Sequence, residues 1–351
     1  MEKESIPIKF FGLTFSELVS VLHHQYGKGA YHANGIFREI YVNGNTDFRK
    51  APEFLCSETF CRQLCRDLQV GIDPVTEVKK EKGLIKFVTG LKDGLNIESV
   101  IVPMATHYTL CVSTQVGCKM GCRICETGQR GFFRNLSTEE VIGQVYTALF
   151  LFKVPVRNVV FMGMGEPLDN FDNVVQAIRV MEDQRGMDIS KKYVSVSTSG
   201  LIDGIRKLAL LNWPQLNLAV SLNAPNDHIR SKIMPINTVF PMKKLHEALM
   251  DFPMKKNGAI YVEYVLIKNL NDHREHAKQL ADYLKPLKVK VNVIPYNPHT
   301  DSVFKSPDEI EVSRFCEWLV KENVFVRKRS TKGQDIMAGC GQLGKNSLSN
   351  S

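Results

Sequence analysis

Hydrophobic and polar positions change their period near residue 84 of the chain. Before this point apolar residues recur at helical spacing, for example in residues 14–22 and 36–41, and glycines separate the segments. After it, apolar runs of strand length alternate with helix-like segments. These runs are residues 110–113, 156–162, 194–197, 216–222, 260–267 and 289–294. The pattern predicts a small helical N-terminal domain followed by six β–α units.

Helix-like segments lie between the predicted strands. They span about residues 138–152, 171–183, 241–251, 272–285 and 308–322. Ser137 and Glu140 have the spacing of a capping box, which predicts where the first of these helices begins. Six consecutive β–α units imply an α/β fold with a parallel sheet that is curled or closed. We therefore predict a partial parallel (β/α)6 barrel.

Polar or glycine-containing motifs follow most of the predicted strands. They are residues 115–118, 163–167, 197–200, 221–225 and 295–298. Because barrel active sites are built at the carboxyl ends of the strands, these motifs are expected to line one mouth. Glu166 follows two glycines that let the backbone approach a ligand closely, and its carboxylate can accept hydrogen bonds from an amino group.

At 351 residues the chain is long enough for one large barrel-like domain and a small one. We predict four parts. Residues 1–78 form a helical accessory domain, residues 79–109 a linker with strands that lead into the barrel, residues 110–344 the barrel with a C-terminal cysteine segment, and residues 345–351 a polar tail. No repeat or low-complexity tract interrupts the sequence before that tail.

Composition places the chain among soluble globular proteins. Apolar residues make up 44% and charged residues 23% of the sequence, and no run of 18 or more apolar residues predicts a membrane span. The N-terminus lacks a basic stretch followed by an apolar core, so no signal peptide is expected. Nine cysteines without such a signal indicate a reducing, cytoplasmic location, where clustered cysteines are more often ligands or catalysts than disulfides.

The formal net charge of +8 only weakly favours an anionic partner, and the placement of the basic residues is more informative. The basic groups are Lys79, Lys80, Lys82 and Lys86; Arg123, Arg130 and Arg134, with Phe132 and Phe133 between them; and Arg327, Lys328, Arg329 and Lys332. Basic side chains interleaved with aromatic rings suit phosphate contacts and base stacking. For any single charge, a solvated surface position is the simpler interpretation.

Cys118, Cys122 and Cys125 follow the first predicted barrel strand with the spacing C-x3-C-x2-C. Structural zinc sites and most iron–sulfur clusters need four protein ligands. A cubane cluster held by three thiolates instead leaves one iron open, and an open coordination position is where chemistry can occur. A structural zinc site with a distant fourth ligand is the alternative.

A second group of cysteines lies in the N-terminal part of the chain. Cys56, Cys61 and Cys65 are spaced by five and four residues. Cysteines at such spacing on a helix are expected to be small buried apolar residues rather than metal ligands.

At these motifs the chain resembles the RlmN/Cfr family of radical S-adenosylmethionine (SAM) RNA methyltransferases. The resemblance extends from residues 29–33 to residues 339–343 and covers most of the chain. Its most specific segments are residues 111–118, 134–136, 161–168, 197–200 and 335–343. The sequence is more similar to the RlmN branch, which methylates carbon 2 of adenosine, than to the Cfr branch, which methylates carbon 8.

The resemblance implies a radical SAM barrel and assigns its site residues. The cysteine triad would hold one 4Fe–4S cluster through three ligands. The SAM pocket would consist of Gly165, Glu166, Ser197, Ser221, Leu222, Asn223 and Asn297. Cys340 corresponds to the cysteine that is methylated, Cys111 to its resolving partner and Glu98 to the family's proposed general base.

The reaction that the resemblance implies uses two SAM molecules per turnover. Cys340 takes the methyl group of the first, and a 5′-deoxyadenosyl radical from the second abstracts hydrogen from that methyl group. The carbon then adds to adenine, Glu98 is the candidate base, and attack by Cys111 on the Cys340 sulfur leaves a disulfide. The implied partners are 23S rRNA, with transfer RNA as a second candidate, and an electron donor such as flavodoxin. The protein is expected to be a monomer without membrane association.

Four positions depart from the usual family pattern. Asn223 stands where the family commonly has His, Ile124 replaces an aromatic residue, Glu126 replaces a small residue, and Gly339 replaces an Ala. Asn223 can still form hydrogen bonds, whereas Glu126 adds negative charge that can alter the cluster's potential. These departures leave carbon 8 chemistry, or another RNA target, as alternatives.

Two other function classes are open at this point. One is an RNA-binding protein with a degenerate barrel, in which the helical domain and the basic groups bind the RNA. The intact triad and Glu166 argue against it. The other is a radical SAM enzyme that acts on a small molecule or peptide, in which Cys111 and Cys340 would have no obvious role. For the RNA methyltransferase, we expect the N-terminal domain to contribute RNA binding rather than chemistry, because it carries no SAM motif.

Overall fold

The computed structural model describes residues 7–299, 302–329, 333 and 336–344. Its N-terminal part is helical, as predicted, with α1 (Phe15–Tyr26), α2 (Ala30–Phe37) and α3 (Glu58–Asp67). Two short strands, β1 (Ile8–Lys9) and β2 (Leu68–Gln69), pair in parallel and bring the ends of this part together. Thr14 begins α1 through a capping box with Glu17.

An aromatic core joins the N-terminal helices to the barrel. The rings of Phe10, Phe37 and Tyr41 have centroids 4.9–5.5 Å apart. Phe11 lies 5.1 Å from Tyr146, a residue of the barrel, in an edge-on contact that aromatic pairs favour. The helical part and the barrel therefore share one continuous hydrophobic core, and the domain boundary at residue 78 stays a prediction.

The expectation for the N-terminal cysteines is only partly correct. Cys61 is buried as expected, but Cys56 and Cys65 are exposed. The reason is the orientation of α3, which directs Phe60, Cys61 and Leu64 into the core. This face is narrow, so Cys65 falls outside it.

Antiparallel strands lead into the barrel. They are β3 (Val75–Glu81), β4 (Leu84–Gly90) and β5 (Asn96–Pro103). Lys82 and Gly83 form the turn between β3 and β4, both with positive φ (46° and 82°), as a tight hairpin requires. β5 pairs antiparallel with β6 (Tyr108–Cys111), the first barrel strand. The segment predicted as a linker with leading strands is thus mostly strand, and it extends the barrel sheet.

The barrel strands confirm the predicted α/β class. After β6 a small hairpin, β7 (Gln115–Gly117) and β8 (Phe132–Asn135), flanks the cysteine loop. The remaining described strands are β9 (Val156–Phe161), β10 (Val194–Thr198), β11 (Asn217–Ser221), β12 (Ile260–Leu266), β13 (Val289–Pro295) and β14 (Val326–Lys328). The order across the sheet is β14-β13-β12-β11-β10-β9-β6-β5-β4-β3, with parallel neighbours from β6 to β14.

All six apolar runs are strands of this sheet, so the prediction of six barrel strands is confirmed. The apolar pattern does not predict β14, because two of its three residues are exposed. Edge strands β14 and β3 are not paired with each other among the described residues, so the described sheet is open.

The chain continues through helices that alternate with the barrel strands. They are α4 (Glu126–Gln129), α5 (Thr138–Tyr146), α6 (Phe171–Met181), α7 (Ile202–Leu210), α8 (Asp227–Ile233), α9 (Met242–Met250), α10 (Arg274–Leu284) and α11 (Glu309–Lys321). The predicted helices correspond to α5, α6, α9, α10 and α11, and the capping box of Ser137 and Glu140 is confirmed. The pattern does not predict α4 and α8, which are short, or α7, which begins without a side-chain cap.

Within the described ranges, no helix has the length and apolar character needed to span a bilayer.

Arg230 on α8 fixes the carboxyl ends of β10 and β11. Its side chain is fully buried. The guanidinium donates hydrogen bonds to the carbonyl oxygens of Ser199 (2.5 Å) and Leu222 (3.1 Å) and to Oδ1 of Asn237 (2.9 Å). Since Ser199 and Leu222 belong to the motifs that follow β10 and β11, this buried cation holds both motifs at one edge of the sheet.

We predict that Arg230→Met lowers the free energy of unfolding by about 3 kcal/mol, because it leaves several buried acceptors without donors. Urea denaturation followed by circular dichroism measures this loss. Arg206→Met, an exposed arginine on the neighbouring helix α7, is the matched control and should change stability little. Equal losses in the two variants would contradict the assigned role of Arg230.

Candidate active site

A cavity of about 400 Å³ opens at the carboxyl ends of the barrel strands and extends into the sheet interior. The predicted site residues that line it are Cys111, Cys118, Cys122, Cys125, Gly165, Glu166, Ser197, Ser221, Asn223, Asn297 and Cys340. Glu98 and Leu222 do not line it. The parallel topology thus brings together residues that are up to 229 positions apart, between Cys111 and Cys340.

Backbone contacts shape the loop that carries the cysteine triad. The Cys118 N–H donates to the Gly131 carbonyl (2.8 Å), and the Cys125 N–H donates to the Cys122 carbonyl (3.2 Å). Gly117 has φ 74°, and a Cβ there would lie 1.9 Å from the Gly131 carbonyl oxygen, so a side chain is excluded. The loop therefore wraps its three thiols around one side of the cavity.

Burial raises the pKa of all three triad thiols, that of Cys118 to about 12. Metal ligation requires thiolates, so cluster binding here would release protons. Within the described residues, no three His, Cys, Asp or Glu side chains converge on a position for a single metal ion. The three thiols line one cavity, and thiolate is a ligand of both iron–sulfur clusters and zinc sites.

Glu166 has a fixed and buried carboxylate at the end of β9. Its Oε2 accepts hydrogen bonds from the Ser199 N–H (2.7 Å) and the Ser199 hydroxyl (2.8 Å), and its Oε1 accepts one from the Leu168 N–H (3.2 Å). Burial raises the pKa of Glu166, and the hydrogen bonds from Ser199 oppose that rise. The preceding Gly165 has φ 100°, and a Cβ there would lie 2.6 Å from Gln115 Cβ. Gln115 in turn accepts from the Glu166 N–H at 2.9 Å.

Asn223 and Leu222 have different environments at the end of β11. Asn223 has φ 57°, a conformation that asparagine adopts more readily than most residues. Its Oδ1 accepts from the Val265 N–H (3.0 Å), which connects β11 to β12. Leu222 is buried in the core, and its carbonyl oxygen is held by Arg230. Leu222 does not line the cavity that Ser221 and Asn223 line. Its contact with SAM stays a prediction.

Glu98 lies on β5, is fully buried and forms an ion pair with Lys86 (2.9 Å). Its Oε2 also accepts a hydrogen bond from the Gly344 N–H (2.9 Å), and Lys86 donates to the Met337 carbonyl (2.9 Å). Oε1 has no hydrogen-bond partner among the described residues. The pair therefore anchors the segment that carries Cys340, and the base role of Glu98 stays a prediction.

The C-terminal segment docks against the cysteine loop. The Glu126 N–H donates to the Gly341 carbonyl (2.7 Å), and the Thr127 hydroxyl donates to the Leu343 carbonyl (2.6 Å). Asn297 donates to the Cys340 carbonyl at 3.3 Å. The carboxylate of Glu126 pairs with Arg130 (2.8 Å), so the negative charge that Glu126 adds to the cysteine loop is balanced. Cys340 is thus held next to the triad although it lies far away in sequence.

Three cavity residues were not marked as site residues by the sequence pattern: Glu263 on β12, Asn292 on β13 and Arg329 after β14. Glu263 is buried, its Oε1 accepts from Asn292 Nδ2 (2.8 Å), and its Oε2 lies 3.6 Å from Arg329 Nη1. Burial raises the pKa of Glu263, while Arg329 acts in the opposite direction. A signal for two of them was present, since Glu263 and Asn292 are polar residues inside apolar runs. Arg329 appears in the sequence only as a member of a basic group.

Most of the described basic residues singled out from the sequence are ion-paired. The pairs are Lys79 with Glu77, Lys86 with Glu98, Arg130 with Glu126, Arg134 with Asp93 and Glu140, Lys328 with Glu309, and Arg329 with Glu263. Lys119 lies 4.3 Å from the centroid of the Phe132 ring, and Phe133 is exposed. Lys332 lies outside the described residues. A solvated surface position, the simpler interpretation, does not describe Lys86, which is buried. Phe133 presents an exposed aromatic ring.

We predict that Gly165→Ala destabilises the protein by about 2–5 kcal/mol, because a positive φ costs about 1–2 kcal/mol and the clash with Gln115 adds about 1–3 kcal/mol. Gly131→Ala is the matched control. Gly131 also has positive φ (77°), but a Cβ there meets nothing within 4 Å. Denaturant unfolding of both variants separates the clash from the backbone strain, and equal losses would mean that the close approach to Gln115 is unimportant.

Comparison with known proteins agrees with this geometry. A sequence profile of the Radical SAM superfamily matches residues 112–281. The chain is 41% identical over 338 residues to the probable dual-specificity RNA methyltransferase RlmN 1 of Protochlamydia amoebophila, covering 96% of this chain and 94% of that protein. It is 39% identical to the dual-specificity RNA methyltransferase RlmN of Geobacter sulfurreducens, covering 95% and 91% of the two chains.

A solved structure has the same fold over nearly the full length. The crystal structure of a radical SAM methyltransferase from Sphaerobacter thermophilus matches with a TM-score of 0.89 at 34% identity, covering 96% of this chain and 99% of that one. Radical SAM proteins use SAM together with a 4Fe–4S cluster, and the cavity thiols and Glu166 agree with that requirement. The chain therefore belongs to the radical SAM superfamily and, within it, to the RlmN family of RNA methyltransferases.

Proposed function

We propose that this protein transfers a methyl-derived carbon from SAM to carbon 2 of adenosine in 23S rRNA, with transfer RNA as a second substrate. The observation that carries the proposal is that Cys111 and Cys340 line the same cavity as the triad and Glu166. A radical SAM enzyme with a small-molecule substrate has no evident need for this second pair of thiols. The names of the relatives, dual-specificity RNA methyltransferases, support RNA as the substrate.

The cavity residues fit the cofactors of the superfamily. Cys118, Cys122 and Cys125 would hold the 4Fe–4S cluster, since thiolate is the ligand that such clusters use. Glu166 would accept a hydrogen bond from the amino group of SAM, and Gly165, which lines the cavity next to it, would contact SAM through its backbone. Ser197, Ser221, Asn223 and Asn297 would complete the pocket. When bound, the cluster and SAM supply the radical that removes a hydrogen atom from a methyl group.

The two remaining cavity cysteines would carry the methyl group and release the product. The Cys340 thiolate attacks the SAM methyl carbon, forming an S–CH3 bond and releasing S-adenosylhomocysteine. After hydrogen abstraction from this methyl group, its carbon bonds to carbon 2 of adenine, one electron would return to the oxidised cluster, and Glu98 is the candidate base for the carbon-2 proton. The Cys111 thiolate then attacks the Cys340 sulfur, and the sulfur–carbon bond breaks. The carbon takes up a proton to complete the new methyl group, and a disulfide remains. A dithiol reductant restores both thiols, and a protein such as flavodoxin supplies the electron for the cluster.

The RNA would approach the mouth of the cavity across the N-terminal part and the cysteine loop. Residues 1–78 carry no SAM motif, and we assign them to RNA binding. Phe133 on β8 is exposed beside the loop, where an aromatic ring suits stacking with an unpaired base. A duplex would have to open before an adenine could enter the cavity, because base edges are not accessible within a stack.

Mass spectrometry of RNA nucleosides tests the proposed function. The cluster-loaded protein, given SAM, a reductant and protein-free ribosomal or transfer RNA, should produce 2-methyladenosine. Cys118→Ala should abolish the product because the cluster loses a ligand, whereas Cys316→Ala, a cysteine on α11 outside the cavity, should not. Formation of 8-methyladenosine would assign the protein to carbon 8 chemistry. No methylated base with either RNA would contradict the proposal.

A second prediction separates the roles of Cys340 and Cys111. Cys340→Ala should form neither methylated protein nor methylated base, because the acceptor thiol is absent. Cys111→Ala should stall later, with RNA bonded to the protein through Cys340. Denaturing electrophoresis should therefore show a retarded, nuclease-sensitive band for Cys111→Ala alone. The same band from Cys340→Ala, or multiple turnover by Cys111→Ala, would reverse or remove the assigned roles.

A further inference from the structure

Arg329 brings a positive charge into the cavity. It follows β14, and its N–H donates to the Val293 carbonyl (2.9 Å), which fixes the residue at the edge of the sheet. Its side chain lines the cavity together with Cys111 and Cys340. Among the described residues that line the cavity, Arg329 is the only lysine or arginine.

The thiols of Cys340 and Cys111 are both in an environment that disfavours their charged form. Part of Cys340 is exposed to solvent, but desolvation by the surrounding protein atoms still raises the pKa of its thiol. Arg329 lowers this pKa, and the carboxylate of Glu263 adds to the rise. Burial also raises the pKa of Cys111 to about 12; Cys340 adds to the rise, and Arg329 opposes it. Arg329 is therefore the cation that lines the same cavity as both thiols, and Glu263 is an anion that lines it with them.

The contacts of Arg329 leave its guanidinium available to the thiols. Nη1 lies 3.6 Å from Glu263 Oε2, which is longer than a hydrogen bond, and Glu263 is itself held by Asn292 through its other oxygen. Glu263 thus orients the guanidinium without using all of its five N–H donors. An arginine also stays protonated at any pH at which the protein is folded. The side chain is 42% exposed, so solvent weakens its field without removing it.

We propose that Arg329, oriented by Glu263, is a positioning residue that stabilises the thiolate forms of Cys340 and Cys111. The need for both thiolates rests on the proposed function, in which Cys340 attacks a methyl group and Cys111 attacks a sulfur. The thiolate is the reactive form in both attacks. One cation beside both thiols would serve the two steps in turn.

Alkylation of individual cysteines tests this proposal without methyl transfer. The cluster-loaded full-length protein is treated with iodoacetamide between pH 6 and 10, and peptide mass spectrometry gives the rate for each cysteine. Arg329→Gln should slow the alkylation of Cys340 several-fold at neutral pH, because losing the cation lowers the fraction of thiolate. Arg329→Lys should restore most of the rate.

Two controls distinguish this effect from loss of folding or of general surface charge. Arg327→Gln removes an equal charge two residues away, where the guanidinium lies over the Phe325 ring, and it should leave the Cys340 profile unchanged. The exposed Cys56 and Cys65 are internal standards whose alkylation rates should be the same in every variant. If Arg329→Gln matches the unsubstituted protein, or Arg327→Gln slows Cys340 as much, the proposal is overturned.

The result is independent of the proposed function. Incubation with SAM, followed by mass measurement of the Cys340 peptide, reports methylation separately. An Arg329-dependent alkylation profile in a protein that never acquires a methyl group would support the present proposal and overturn the methyl-carrier role. If Cys340 is methylated but its alkylation rates do not depend on Arg329, the methyl-carrier role is supported and the present proposal is overturned.

Discussion

The buried ion pair between Lys86 and Glu98 connects the beginning of the sheet to the segment that carries Cys340. Lys86 donates a hydrogen bond to the Met337 carbonyl, and Glu98 accepts one from the Gly344 N–H. The pair therefore fixes the chain on both sides of Cys340. Removing one partner of such a buried pair typically costs about 3–5 kcal/mol, because an uncompensated charge remains. The position of Cys340 beside the cysteine loop therefore depends on an ion pair that does not line the cavity.

Two arginines perform opposite tasks at the carboxyl ends of the barrel strands. Arg230 is fully buried, and its donors are matched by the carbonyl oxygens of Ser199 and Leu222, so it serves as a rigid tie between strands. Arg329 is partly exposed, and its one carboxylate contact among the described residues, with Glu263, is long at 3.6 Å, so its charge remains available to the cavity. The difference follows from how completely each guanidinium is surrounded by acceptors.

The sequence predicts those strands and site residues whose positions follow from the local pattern of apolar and polar residues. Apolar runs identify the six longer barrel strands, and the rule that parallel strands end at one edge places Glu166, Ser197 and Asn223 together. It does not predict the three-residue β14, whose exposed side chains carry no apolar signal. Leu222 is in the core although its motif neighbours line the cavity, because which residues of a strand-end loop face inward depends on tertiary contacts such as that with Arg230. The contacts of Glu98 and Arg329 are also tertiary, and no local pattern encodes them.

The docking of the C-terminal segment has a consequence for the order of folding. The hydrogen bonds from Gly344 to Glu98 and from Thr127 to Leu343 close loops of 246 and 216 residues, whereas the cysteine loop closes through contacts between Cys118 and Gly131. Local contacts of this kind form before long-range ones, because closing a long loop costs chain entropy first. The loop that would receive the cluster is therefore assembled earlier than the complete cavity. During that interval it faces solvent without the cover of the C-terminal segment, which gives a large inorganic cofactor time to enter before the cavity closes.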